Sequence, residues 1–199
     1  MFYKNDRMAL FIDGVSLYGA SKLLGFDIDY KLLRQEFSRR GKLVRIMYYT
    51  SALESTEYLT IRPLVDWLSY NGFNLVTNYV KDGNDSFGRQ VTKGNIEVNM
   101  AVDALDLAPR LDHAVLVTGN GHLTPLVASL QRKGVRVTIL STVQGQPTLL
   151  SDELRRQADN FVELNELREL IGRPPSSLTV NGNTKTKVVM NAEEKSLVK

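Results

Sequence analysis

The sequence predicts an α/β domain, with a mostly parallel sheet of about five to six strands and helices on both faces. Three observations lead there. Residues 8–12 (Met-Ala-Leu-Phe-Ile) and 113–118 (His-Ala-Val-Leu-Val-Thr) are continuous apolar runs, which suit strands buried on both faces. Between such runs lie segments with apolar residues at helical spacing. The connections are short, and strand and helix patterns alternate along the chain, as parallel sheets with right-handed crossovers require.

The elements follow in order. After the first run, Asp13-Gly14 ends a strand, and Val15, Leu17, Tyr18, Leu23 and Leu24 mark a helix. Asp29 is placed to cap a second helix carrying Leu32, Leu33 and Phe37, which Gly41 ends. Residues 42–50 read as a strand, about 57–70 as a helix that starts near Pro63 or bends there, and 73–80 as a third strand. Residues 82–90 are polar and glycine-bearing and read as a loop; nothing in the sequence shows that it covers a substrate. Residues 95–107 form a helix, 113–118 a buried strand, 119–122 (Gly-Asn-Gly-His) a tight turn, and 123–133 a helix before Gly134. Residues 135–141 are a further strand and 151–160 a helix; 161–164 read as a short edge strand and 166–171 as a last helical turn. Residues 1–172 make one domain, and 173–199, without periodicity, read as a flexible tail.

Composition excludes several chemistries. Among 199 residues there is no cysteine, so there are no disulfides, thiolate nucleophiles or cysteine-held metals. The net charge of +3 resides in the tail, where Arg173, Lys185, Lys187, Lys195 and Lys199 face Glu193 and Glu194; the domain itself is balanced. No secretory signal is visible and no apolar segment approaches the roughly 20 residues of a membrane helix, so a cytoplasmic protein without membrane contact is expected. With two histidines and no Gly-x-Ser-x-Gly elbow, a serine triad is unfavourable. Gly119-Asn120-Gly121 lacks the longer phosphate-binding fingerprint.

Asp13 falls at the carboxyl end of the first strand, where parallel sheets place their ligands; alone, it reads equally as a helix cap. Asn120 and His122 follow the strand at 113–118, in a turn whose glycines permit close approach of backbone to ligand. The helix between carries Glu97 and Asp103. Six residues apart, these lie roughly 120° out of alignment on an ideal helix, whereas Asn99 and Asp103 share a face. Asp103 sits among Met100, Ala101, Val102, Ala104 and Leu105, an unusual setting for an acid.

Phe11-Ile-Asp-Gly-Val-Ser-Leu-Tyr18, Lys93-Gly94 followed by Glu97 and Ala101-Val102-Asp103-Ala104, and Leu116-Val-Thr-Gly-Asn-Gly-His-Leu-Thr-Pro-Leu126 resemble, in order, the motifs of the NYN domain family. These are LabA-like, PIN-like proteins regarded as metal-dependent RNA nucleases. The resemblance spans about residues 7–170 and implies a Rossmann-like, PIN-type fold. It also implies Asp13, Glu97 and Asp103 as holders of Mg²⁺ or Mn²⁺, RNA as partner, and a homodimer as an open question. Asn120 joins the three carboxylates as a catalytic candidate; Ser16, Lys93, Gly119 and His122 are substrate-binding candidates. Where the family has acids this chain has Asn120 and His122, and where it has asparagine this chain has Ser16. A domain that binds RNA or a protein partner without cutting is therefore the alternative. Candidates for further RNA contacts are Arg39, Arg40, Lys81, Arg89 and Lys93, whose simpler reading is a solvated face, with Tyr18 and Phe87 as candidate stacking surfaces, Tyr18 reading better as a packing residue.

Overall fold

The structure, a computed structural model, describes residues 1–53, 56–84, 90–93 and 95–173. Of Lys81 and Lys93 only the backbone is described, and Phe87, Arg89, Gly94 and the tail from residue 174 lie outside the described residues.

Seven strands form the sheet among these residues: β1 (Arg7–Asp13), β2 (Lys42–Leu53), β3 (Asn74–Asn84), β4 (Gln90–Lys93), β5 (His113–Val117), β6 (Arg136–Ser141) and β7 (Asn160–Glu163), in the order β4-β3-β2-β1-β5-β6-β7. All neighbours pair in parallel except β3 with β4. The chain runs outward from β1 through β2 and β3, then returns to β5 on the other side. The gap between β1 and β5 is thus the switch point, where the loops at the carboxyl ends diverge and leave room for a ligand.

Helices cover both faces. On one, α1 (Gly14–Leu24), α2 (Tyr30–Arg40), α3 (Thr56–Tyr70) and α7 (Arg168–Ile171) bring Leu17, Leu33, Phe37 and Leu68 onto Leu10, Ile12 and Val115. On the other, α4 (Ile96–Leu107), α5 (Thr124–Arg132) and α6 (Asp152–Gln157) bring Met100, Val127, Leu130 and Leu154 onto Phe11, Leu116 and Ile139. Each large apolar side chain fully withdrawn from water here contributes about 1.5–3 kcal/mol. The α/β architecture is the expected one, and α3 runs through Pro63, giving up one backbone hydrogen bond there.

Three details differ from the sequence reading. Residues 82–84 extend β3, and 90–93 return antiparallel to it; such an edge hairpin needs no buried face, so it carries no apolar signal. The sixth helix is shorter than expected. Ser151 Oγ accepts from the Leu154 N–H at its start, the helix closes at Gln157, and β7 follows at once. The pairing of β1 with β2 skips Val44, with Met8 opposite Leu43 and Ala9 opposite Arg45. This bulge explains why Leu43 and Ile46, three apart, pack on the same face.

The turn after β5 is tight because the chain itself fills the space. The segment between β6 and α6 folds back over it, and the Ser151 N–H donates to the Gly119 carbonyl at 2.9 Å. A Cβ on Gly119 would lie 2.0 Å from the Leu149 carbonyl oxygen, and one on Gly121 2.6 Å from Ser151 Oγ. The close approach these glycines permit is by residues 149–151. Gly119→Ala is expected to cost about 3 kcal/mol in urea unfolding, as overpacking against backbone does. Gly19→Ala, inside α1 with nothing within 4 Å of the new methyl, should instead stabilise by roughly 0.5–1 kcal/mol.

At the amino ends of the strands His113 is fully buried. Its Nε2 pairs with Thr138 Oγ1 at 2.7 Å, Phe2 lies against the ring at 4.9 Å, and no described group bonds Nδ1. Burial first, and Arg136 second, push its pKa down to about 4. The unfolded chain therefore takes up this proton near pH 6.5 while the folded one resists it to about pH 4. The contribution is complete above pH 6.5 and is lost as pH falls toward 4, by roughly 3 kcal/mol in total. Urea midpoints measured across that window should fall with pH, and His113→Gln should flatten the dependence; an unchanged slope in the variant would assign it to another group.

Candidate functional site

A row of three side chains crosses the carboxyl edge of the sheet. Asp13 ends β1 and stands opposite Tyr49 of β2. On its other side Thr118 follows β5, and its hydroxyl reaches Asp13 Oδ2 at 3.3 Å. Strand parity sends all three toward the face covered by α4, the face of Phe11 and Leu116. Tyr49 lies outside every motif, and Thr118 lies within the one at 116–126 with no role assigned to it there. Only the register, which the sequence does not display, puts them beside Asp13.

Asp13 is 7% exposed. Its Oδ1 accepts from the Val15 and Ser16 N–H groups, both at 3.1 Å, capping α1. Its Oδ2 accepts from Ser16 Oγ at 2.5 Å. The Asp-Gly-Val-Ser sequence produces this arrangement directly: an aspartate in extended conformation at the helix start, with a hydroxyl one turn in. Gly14 is needed because a Cβ there would meet Tyr48 Oη at 2.7 Å. Ser16 is thus occupied in holding Asp13.

Helix α4 hangs over the row, and its two acids are held apart. Asp103 accepts from Tyr49 Oη at 2.9 Å. Burial, reinforced by the Asp103 charge, pushes the Tyr49 phenol far above its ordinary value, so it stays a donor. Glu97, in the first turn of α4, accepts from Asn120 Nδ2 at 2.5 Å. Asn120 Oδ1 accepts from the His122 N–H at 3.0 Å, and the Asn120 N–H donates to Thr118 Oγ1 at 3.2 Å. Asp13, Thr118, Asn120 and Glu97 therefore form one connected path, and Asp103 joins the row through Tyr49. His122 is exposed. With Glu97, Val98, Ala101 and Arg132 it lines a groove of about 580 Å³ between α4 and α5.

In chemistry these donors suit a hard divalent cation: carboxylate oxygens, and no ion pair to Asp13, Glu97 or Asp103 among the described residues. Every hydrogen-bond partner named above is a neutral hydroxyl, amide or backbone N–H, so the three negative charges remain for a cation to offset. No three carboxylate or histidine side chains already converge as a metal centre among the described residues, since neutral donors hold each one separately.

The expected basic rim is partly elsewhere. Arg39 and Arg40 end α2, beside Gly41 and the first residue of β2, at the opposite edge of the sheet. Arg40 is bound to Glu36 Oε1 at 2.8 Å and lies over the Phe2 and Phe37 rings, and Arg39 pairs with the same carboxylate at 3.7 Å. Arg40 is consumed by helix and core contacts, whereas Arg39 stays exposed, at the edge away from the site. Tyr18, expected to pack, is 62% exposed, with Lys22 over its ring.

Known proteins share this arrangement of elements. A protein of unknown function from Vibrio parahaemolyticus has the same fold, with a TM-score of 0.66 at 23% identity over 86% of this chain and 99% of that one. The low amplitude and bright protein LabA of Synechococcus elongatus is 25% identical over 175 residues, which cover 86% of this chain and 90% of LabA. An uncharacterised protein of Methanocaldococcus jannaschii is 24% identical over 162 residues, 80% of this chain but 56% of that longer protein. The pattern of the NYN domain matches residues 7–165, from the first residue of β1 to just beyond β7, and on that match the chain belongs to the NYN domain family.

Proposed function

We propose that this protein hydrolyses phosphodiester bonds of RNA at the carboxyl edge between β1 and β5, using a divalent cation, Mg²⁺ or Mn²⁺. The observation that carries the reading is that Asp13, Glu97 and Asp103 each bond to residues at the carboxyl ends of β1, β2 and β5 or the adjoining turns, without a described basic side chain to neutralise them. Those three would hold the cation, which when bound activates water and offsets charge building on the phosphate. The protein's own part is orientation. Ser16, Thr118 and the α1 amides fix the Asp13 carboxylate, and Tyr49 fixes Asp103, so little reorganisation is left for the moment of reaction. His122, exposed at the mouth of the groove beside Glu97, is placed to meet a phosphate oxygen, and Lys93 and Gly119 stay candidates for substrate contact.

The test is cleavage of single-stranded and structured RNA with Mg²⁺ or Mn²⁺. Asp103→Asn should lower the rate roughly a hundredfold, the scale for losing one electrostatic contact to a transition state. Asp13→Asn should do the same while keeping the helix cap, which Asp13→Ala would remove at a cost of about 1 kcal/mol. Rates unchanged in both variants would remove the site assignment.

One bond favours a second reading, RNA binding without turnover. The Asn120 amide holds Glu97 Oε1, a position a cation would otherwise compete for. The double variant Asn120→Asp, His122→Asp replaces that donor by a carboxylate and adds another. On the second reading only the variant cuts RNA; on the first the native chain already does, and chelation stops it.

A further inference from the structure

We infer that a cleft on the other face of the sheet, between the start of α2 and the middle of α3, is a stacking subsite for a nucleobase of single-stranded RNA. Tyr30, Pro63, Leu64 and Trp67 form its walls, Lys31 and Arg173 stand beside them, and it encloses about 420 Å³, the size of a small-ligand site. This rests on RNA being the substrate, and it adds where the strand lies.

A line of aromatic rings, buried at Phe73 and Tyr48, leads from the cleft to the residue beside Gly14. Trp67 is 38% exposed and packs on Phe73 with centroids 6.4 Å apart. Phe73 meets Tyr30 edge-on at 6.1 Å, and Tyr30 meets Tyr48 edge-on at 5.7 Å. The two tyrosine hydroxyls are 3.3 Å apart. Tyr48 Oη is the atom that forbids a side chain at Gly14, next to Asp13. Two rings separate Trp67 from the tyrosine that abuts the carboxylate strand end, so the cleft is within the span of a short oligonucleotide bound at Asp13.

The charge selects the occupant. Arg62 is paired with Asp66; Asp29 caps α2 by accepting the Lys31 and Leu32 N–H groups and keeps its charge, so the cleft sets two cations against one anion. Lys31 and Arg173 have no ion pair among the described residues, and Arg173 is close enough to Tyr30 to be felt by its phenol. An apolar aromatic surface with two uncommitted cations at its rim matches a base with phosphates on either side. Such pairing of stacking with backbone contacts is how single strands are held without sequence preference. An apolar peptide would leave both cations idle.

Trp67 is the chain's one tryptophan, so its emission reports on this cleft alone. The experiment titrates the full chain with oligouridylate and oligoadenylate in EDTA, where hydrolysis is stopped, and follows tryptophan fluorescence. Quenching that saturates, weakens with added salt, and weakens several-fold in Lys31→Ala and Arg173→Ala is expected. Trp67→Leu, followed by anisotropy of labelled RNA, should bind about tenfold more weakly, the scale of one base–aromatic stack. The wild-type quench does not depend on that variant folding. Unaltered emission while RNA is bound or cleaved overturns the subsite and leaves the hydrolytic reading standing. Quenching without cleavage when Mg²⁺ or Mn²⁺ is supplied does the reverse. Quenching indifferent to salt and to both cation variants also overturns the subsite, because the occupant would then not be a nucleic-acid strand.

Discussion

The Asp13 carboxylate accepts four hydrogen bonds, two from the first turn of α1, one from Ser16 and one from Thr118 across the gap to β5. Those bonds fix the angle at which α1 leaves β1, and they hold the β5 turn against the β1 end. The turn in turn carries Asn120, which holds Glu97 and so the start of α4. A single buried acid thus ties together the two central strands and, through them, a helix on each face. Leaving any of its partners unpaired in this setting would cost about 1–3 kcal/mol, which makes the local geometry over-determined.

Bonds of this kind explain how three like charges near one edge survive in a folded protein. Asp13, Asp103 and Glu97 are each served by neutral donors, which stabilise a carboxylate without cancelling its charge. Had lysine or arginine held them, the edge would be neutral and indifferent to cations. Elsewhere the protein does use ion pairs. Asp112 binds Arg7 through both carboxylate oxygens and is held well below the usual carboxylate range by those bonds, and Arg136 pairs with Asp6. These pairs lie at the amino edge of the sheet.

Much of this was legible in the sequence, and the limits follow from physics. Continuous apolar runs gave the central strands because both faces of a parallel sheet are buried. The position of Asp13 was readable because an apolar run stops there and a helix starts. The β3–β4 hairpin was not, since an edge hairpin satisfies its backbone with little demand on side chains. Tyr49 and Thr118 escaped notice because their role depends on which residue of one strand stands opposite which of another. The glycines around Asn120 were read as making room for a ligand, whereas residues 149–151, remote in sequence, occupy that room. Arg40 looked available because charge is visible in a sequence and Glu36, the group that consumes it, is one helical turn away.

The bulge at Val44 bears on how this chain tolerates change in length. Side chains alternate in strands, so one extra residue before the conserved direction of pairing resumes inverts everything downstream in β2. Because of it, Tyr49 faces Asp103 and Tyr48 faces Tyr30 and Gly14. Were Val44 to take a place in the ladder opposite Ala9, every later pair would slip by one residue and the two tyrosines would exchange faces. The dipeptide would read the same in any alignment, yet Tyr48 would stand opposite Asp13, and Tyr49 would turn toward the space beside Gly14. Identity of residues near the site is therefore not enough to carry its geometry from one relative to another; the residue count in the first half of β2 and the presence of the bulge have to match each other as well.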